Sequence, residues 1–410
     1  MNTIEIPLNL PKVAILSLET NQKGDFIITV ESTQEGTCCH KCGRKTTHCL
    51  GHDRPIELRH LSILGKKTYI RICPARYHCS SCNGTTTQRL CWYVPRSPHT
   101  KAYDESLLLS LVNSTVSDVS IKEDVGYEAV MGVINRHVAT EVDWDEINRL
   151  DLIGIDEVAL KKGHRSYVTI ISYRLEAQTR VLAVLSDRKK ETVKEFLLSI
   201  PKRLRKTIRA VCSDMYEGFI GAVKEVFGKR VLIVVDRFHV AKLYRKEVDS
   251  LRKREMKRLK KTLSEQQYKA LKGVMWALRK TDPNEQDQAL LDRLFWHSPL
   301  LKLAYELSCD LSDIFNKDQS RADGRGSVRS WMVKVKQSDV GCFDRFLGTL
   351  AKWFDEITNY FVDRVTSGFV EGLNTKVKVL KRRSYGLLNV AHLFQRLQLD
   401  LQGYELYALY

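Results

Sequence analysis

No stretch of this 410-residue sequence approaches the ~20 consecutive apolar residues that span a bilayer. The opening MNTIEIPLNL also lacks the positive flank and apolar stretch of a secretory leader. A soluble, cytoplasmic protein is the expectation. Internal repeats and low-complexity segments are missing too, so neither a repeat array nor a low-complexity tail is expected. Acidic charge is in short supply: 49 Asp and Glu stand against 66 Lys and Arg, a formal net charge of +17 with a pI near 9.3. That imbalance favours a polyanionic partner, nucleic acid before a membrane surface. Cysteine is not scarce, but Cys38, Cys39, Cys42, Cys49, Cys73, Cys79, Cys82 and Cys91 crowd one region without secretory context, which favours metal over disulfides.

The length suggests two or three domains. Residues 1–36 read as a small β element, with FIITVES its clearest strand, and residues 37–95 as a cysteine-rich ribbon. VPRSPHT is the linker that follows, because Pro95 and Pro98 discourage a helix. Over 96–150 the pattern turns helical, with three short helices. Residues 151–240 change period: LIGID, SYVTIISY and RVLAVLS read as strands, KETVKEFLLSI as a helix, IRAVCSD as a strand, MYEGFIGAVKEVFG as a helix and RVLIVVD as a strand. That is a mixed α/β order. A helical insertion is expected over 241–365, and the remainder, 366–410, carries a further helix, GFVEGLNTKVKVLKRR.

Cys39 with Cys42 and Cys79 with Cys82 form two Cys-x-x-Cys pairs, each with a glycine close behind. Four such thiolates suit tetrahedral structural zinc with no position left open for chemistry. The alternative is a set of ordinary buried cysteines in a reducing cytosol. In VSDVSIKEDVGYEAVMGVINRHV, two helices about a turn near Gly126 resemble a helix-turn-helix that would place the second helix, with Arg136 as a DNA-binding residue and His137 near its end, in a groove; the alternative is a plain helical spacer. The basic run YRKEVDSLRKREMKRLKK, including Lys253, Arg254 and Lys257, suits phosphate contact. Trp276, Trp296 and Trp331 are expected in the core of the insertion, with base stacking as the alternative.

The stretch DLIGIDEVALKKG ends a buried-strand run in adjacent acids. Residues alternate faces along a strand, so Asp156 and Glu157 point opposite ways and one of them can serve a metal. AVCSD and LIVVD deliver Asp214 and Asp236 to strand ends in the same manner. A two-metal site for phosphodiester chemistry needs several carboxylates converging from different elements. Glu371 is the candidate for the remaining acid: Asn374 or Thr375, Lys378 and Arg382 follow it at helical spacing, with Lys381 and Arg383 beside them, a metal ligand followed by groups suited to phosphates. Lys161, Lys162, His164 and Arg165 are expected along a backbone channel or at a solvated hairpin tip.

Together IGIDEVALKKGHRSYVTII, VCSDMYEGF, VVDRFHV and SGFVEGLNTKVKVLKRRSYG, in this order behind a cysteine ribbon, resemble the ISL-three family of bacterial insertion-sequence DDE transposases. The resemblance implies an RNase H-like catalytic domain interrupted by an all-helical insertion, with Asp156, Asp214 and Glu371 as the catalytic triad. Asp236 and His239 look like the Asp-x-x-His block that follows the second aspartate in related transposases, and are expected as supporting residues. The activity implied is binding of terminal inverted repeats of double-stranded DNA, cleavage at the element's ends and strand transfer to target DNA, by at least a dimer. Magnesium is the expected ion at the triad, with manganese as a substitute. The rivals are an RNase H-like nuclease or resolvase without strand transfer, and a zinc-dependent DNA-binding regulator whose chemistry has been lost.

Overall fold

Burial alternates residue by residue along Lys66–Ile72, where Thr68, Ile70 and Ile72 are buried and the residues between them are not. That period is what a strand with one covered face requires. The strand sits in a four-stranded sheet in which Val13–Thr20, Phe26–Ser32, Lys66–Ile72 and Ile56–Ile63 are neighbours in that order. Its central pairing, Phe26–Ser32 with Lys66–Ile72, is parallel. This corrects the expectation of a separate β element over 1–36. Two strands from the cysteine-rich segment complete the sheet, because Ile28 and Val30 need Leu58, Ile70, Ile72 and Trp92 to close their core. The rest of that segment forms a two-stranded and a three-stranded sheet around the cysteine pairs.

The computed structural model describes residues 7–160, 167–280, 283–366, 368–387 and 389–408. The chain divides into two units, residues 1–139 with 398–410, and residues 140–397. In the first unit the β part is followed by three helices, Lys101–Leu111, Val116–Glu123 and Tyr127–His137, as the spacing predicts. Leu107, Leu111, Val130 and Ile134 share a core there with Leu399, so the last residues of the chain belong with this unit rather than with 366–397.

The second unit is built on a five-stranded sheet. In spatial order its strands are Gln178–Leu185, Tyr167–Leu175, Leu152–Ala159, Ala210–Ser213 and Leu232–Val235. The first three pair antiparallel, and the last two run parallel to Leu152–Ala159. Among the described residues no strand follows Val235, and helices occupy most of residues 237–361. The longest, Arg237–Thr262, buries Val240, Tyr244, Val248 and Leu251 at helical spacing, leaving its basic face outward. One hydrophobic cluster joins Ile153 and Val211 of the sheet to Leu301, Leu307, Trp331 and Phe346 of the insertion. No helix among the described residues is long and apolar enough to cross a membrane.

Candidate active site and metal-binding clusters

Strand register creates the site. Ile155 pairs with Ser213 and Ser213 with Val235, so the next residues stand level across three adjacent parallel strands: Asp156 within Leu152–Ala159, and Asp214 and Asp236 just past the ends of the other two. Asp156 is 8% exposed and Asp236 6%. Asp236 also caps the long basic helix, accepting from the Phe238 amide at 2.7 Å.

His239 lies one turn into that helix. Its Nδ1 is 2.7 Å from Asp214 Oδ1 and 3.2 Å from Asp236 Oδ2. These two carboxylates push the imidazole up to about 10, favouring its charged form. Asp214, Asp236 and His239 present ligand atoms within 4.8 Å of one another, an arrangement suited to a metal ion. Asp156 and Glu371 are outside that cluster. The Asp156 carboxyl is lifted to about 6, first by burial and then by the charge of Asp214.

The helix Gly368–Arg383 brings the second half of the site. Gly154 permits its approach: a Cβ there would overlap Val370 and lie 2.9 Å from the Phe369 ring. Further along, Asn374 Nδ2 donates to Asp156 Oδ2, while the Glu157 amide donates to Asp156 Oδ1 at 2.7 Å. Lys381 Nζ donates to the Ala159 carbonyl, and burial draws its ammonium down. Glu371 is exposed in the first turn of this helix, three residues before Asn374 and on the same side. Lys378 and Arg382 are exposed, and Arg383 is half-buried.

Glu157 points away from Asp156, as strand alternation predicts, and pairs with Arg188 at 2.8 Å. Sequence reasoning missed Arg188, which also lies over the Tyr167 and Tyr216 rings; no pattern near Glu157 signals it. Lys161, Lys162, His164 and Arg165 lie outside the described residues.

The donors fit a hard divalent cation. Carboxylate oxygens are the ligands such ions take, and Asn374 Oδ1 is buried with no hydrogen-bond partner beside Asp156.

Four cysteine sulfurs of the first unit form the second cluster. Cys39, Cys42, Cys79 and Cys82 bring their sulfurs within 4.8 Å of one another, with Cys39 and Cys82 3.5 Å apart and Cys42 and Cys79 3.6 Å apart. Gly43, at φ 73°, turns the first knuckle so that its amide meets the Cys39 carbonyl at 2.9 Å. The backbone amides of Cys42 and Lys41 draw the Cys39 thiol down to about 6, while the neighbouring sulfurs, Cys39 first, push Cys82 up to about 12. Four sulfurs at this spacing could hold a metal ion.

Several other expected residues sit differently. Arg136 turns inward: it meets the buried Asp104 at 3.1 Å, alongside His99 and His137, each at 2.8 Å. These donors hold Asp104 well below the usual carboxylate range against the opposing effect of its burial. Arg254 and Lys257 are exposed on the long basic helix, and Lys253 pairs with Asp249 at 2.9 Å. Trp331 is core, donating to the Leu307 carbonyl at 2.7 Å. Trp276 and Trp296 are 63% and 83% exposed, which corrects the expectation that all three tryptophans are core.

Comparison with known proteins places this geometry in a lineage. A family model described as a transposase, of the ISL-three kind, matches residues 153–397, the span that carries Asp156, Asp214, Asp236 and Glu371. The transposase for insertion sequence element IS1001 of Bordetella parapertussis is 25% identical over 380 residues, covering 92% of this chain and 91% of that relative. The transposase for insertion sequence element IS1557 of Mycobacterium tuberculosis is 22% identical over 392 residues, covering 90% and 86%. The chain therefore belongs to the ISL-three family of insertion-sequence transposases.

Proposed function

We propose that the protein is a DDE transposase that binds the terminal inverted repeats of its element, cleaves DNA at the ends and joins a freed 3′-hydroxyl to target DNA. The observation that carries this reading is the level row of Asp156, Asp214 and Asp236 on three adjacent parallel strands, with the Glu371 helix tied to Asp156 through Asn374. The five-stranded order, three antiparallel strands followed by two parallel ones, supports an RNase H-like catalytic domain interrupted by the helical insertion.

Asp156, Asp214 and Glu371 are the proposed catalytic carboxylates. Bound magnesium, or manganese in its place, would activate the attacking oxygen and stabilise the leaving one in an in-line displacement at phosphorus. Asp236 fixes His239, and His239 holds Asp214 in place by charge. Asn374 orients Asp156 and leaves one amide oxygen facing the same region. Lys378, Arg382 and Arg383 on the Glu371 helix, with Arg254 and Lys257 on the basic helix, are the proposed contacts to the DNA backbone; Lys381 and Lys253 would have to leave their present partners to join them. Structural zinc in the four-cysteine cluster would rigidify the first unit, whose three helices include the helix-turn-helix-like pair. Pairing of two ends calls for a homodimer on DNA, working in the cytoplasm at the nucleoid.

The test is cleavage and joining of a labelled duplex carrying the element's own end, with magnesium, comparing wild type with Asp156→Ala and Glu371→Ala. Nicking and joining by wild type, with both variants binding DNA and doing neither, is the expected result. Cutting by wild type without any joined product would replace the transposase with a nuclease, and cutting by the variants would overturn the catalytic assignment.

A further inference from the structure

The catalytic unit is not the only place where cations gather around a concave surface. In the first unit a cleft of about 850 Å³ is walled by the cysteine ribbon on one side and by residues 53–56 and the turn 93–96 on the other. Arg54, Arg76, Arg89 and Arg96 line it. A single carboxylate, Asp53, stands among them, held by Arg76 at 3.8 Å and by the Thr87 hydroxyl at 2.5 Å. The exposed guanidiniums of Arg54, Arg89 and Arg96 make no ion pair among the described residues. They come from three separate segments of the chain, so the fold, and not a local run of basic sequence, brings them to one cleft.

Arg96 adds an observation of a different kind. Residues 94–97 form a turn closed by the Ser97 amide on the Val94 carbonyl at 2.9 Å. Pro95 is its second residue and Arg96 its third, at φ 69°. This is the turn position at which glycine is the default, because a side chain disfavours the left-handed region. An arginine held there against backbone preference points to a role for its guanidinium.

We propose that this cleft holds the phosphate backbone of duplex DNA, adding a binding site in the first unit to the proposed transposase function, on which the inference rests. Arginine forks match phosphate oxygens in pairs. A duplex is favoured over a single strand because Tyr93, the one Phe, Tyr or Trp in the lining, is buried and the His40 ring is tied to the Thr86 hydroxyl at 3.0 Å, which leaves no free platform for stacking an unpaired base.

The test uses the full-length protein and fluorescence anisotropy with a labelled duplex carrying the element's end, a scrambled duplex and a single strand, each over a salt series. Arg54→Gln, Arg89→Gln and Arg96→Gln combined should weaken duplex binding by roughly 10- to 100-fold at about 0.1 M salt, on either duplex. The slope of log affinity against log salt should become shallower by about 0.9 for each phosphate that the wild-type arginines neutralise and the glutamines do not. Arg96→Gly should weaken duplex binding while leaving the melting temperature unchanged or raised, which separates loss of charge from loss of fold. Wild-type affinity and slope in the triple variant would overturn the proposal, as would a loss confined to the single strand, or a lower melting temperature in Arg96→Gly. Cleavage by Asp214→Asn, measured in parallel, would instead overturn the catalytic reading and leave the duplex result standing on its own.

Discussion

The two clusters of candidate metal ligands in this protein are opposite solutions. Four soft thiols come from two short knuckles, each fixed by local backbone turns, and they surround a single point. The carboxylates come from three adjacent parallel strands and from a helix whose Asn374 lies 218 residues beyond Asp156, and they form a row. A closed set of sulfurs leaves a metal no vacancy and serves folding. A row of hard oxygens leaves room for a substrate phosphate. The same contrast shows in the neighbours: the sulfurs of the first cluster lie against one another, whereas Asp214 and Asp236 hold the His239 imidazole between them.

The largest effect expected from breaking this contrast is at the sulfurs. Cys79→Ser should abolish stoichiometric zinc, measured by inductively coupled plasma mass spectrometry, and unfold the ribbon, because structural zinc contributes on the order of 10 kcal/mol to folding such sites. Full zinc occupancy in that variant would mean that one of the other cysteines is the ligand. Next comes Asp214→Asn, which should keep its zinc and its DNA affinity yet lose roughly 10³-fold or more in end cleavage, several kcal/mol of transition-state stabilisation. A smaller drop would move the chemistry elsewhere.

Asp156→Asn should behave in the opposite way towards stability. The folded-state pKa of Asp156, about 6, is above the ordinary carboxylate value, so its ionisation destabilises the fold as pH rises from about 4 through 6. Without added magnesium and above pH 6 the variant should be more stable than wild type, by on the order of 1–3 kcal/mol. Asn374 can turn its unpaired Oδ1 towards the new amide. Denaturant unfolding at pH 5 and 8 checks this, and equal stability at both would contradict it.

The smallest effect is the pH window of His239. Its folded-state pKa, about 10, is above the ordinary histidine value, so its contribution is complete below about pH 6.5 and is lost as pH rises towards 10. With 38% of the side chain exposed, about 1–2 kcal/mol is expected after allowing for solvent screening. The stability gap between wild type and His239→Gln, measured without added magnesium, should narrow across that range, and saturating magnesium should shrink it at every pH.

Much of the site could be read in the sequence because its parts are local. Strand-length apolar runs ending in Asp156, Asp214 and Asp236 need only a period of two and a terminal acid to be seen, and the knuckles need only spacing. What was not legible depends on pairing between distant segments. Asp236 reads as a supporting residue in one dimension, yet the parallel register sets it level with the other two aspartates. Arg136 reads as a basic residue near a helix end, and only the folded unit shows Asp104, His99 and His137 around it. For Trp276 and Trp296, helical spacing names a face without saying whether anything covers it. The first sheet shows the same limit, since no local pattern in Phe26–Ser32 indicates that Lys66–Ile72 becomes its parallel neighbour.

The most direct test of the central claim is where a divalent cation binds. Crystals soaked in manganese and measured at its absorption edge should show anomalous density within about 2.2 Å of oxygens from Asp156 and Asp214, and none in Asp214→Asn. Manganese density that is missing from the carboxylate row, or that persists there unchanged in the variant, would contradict the account.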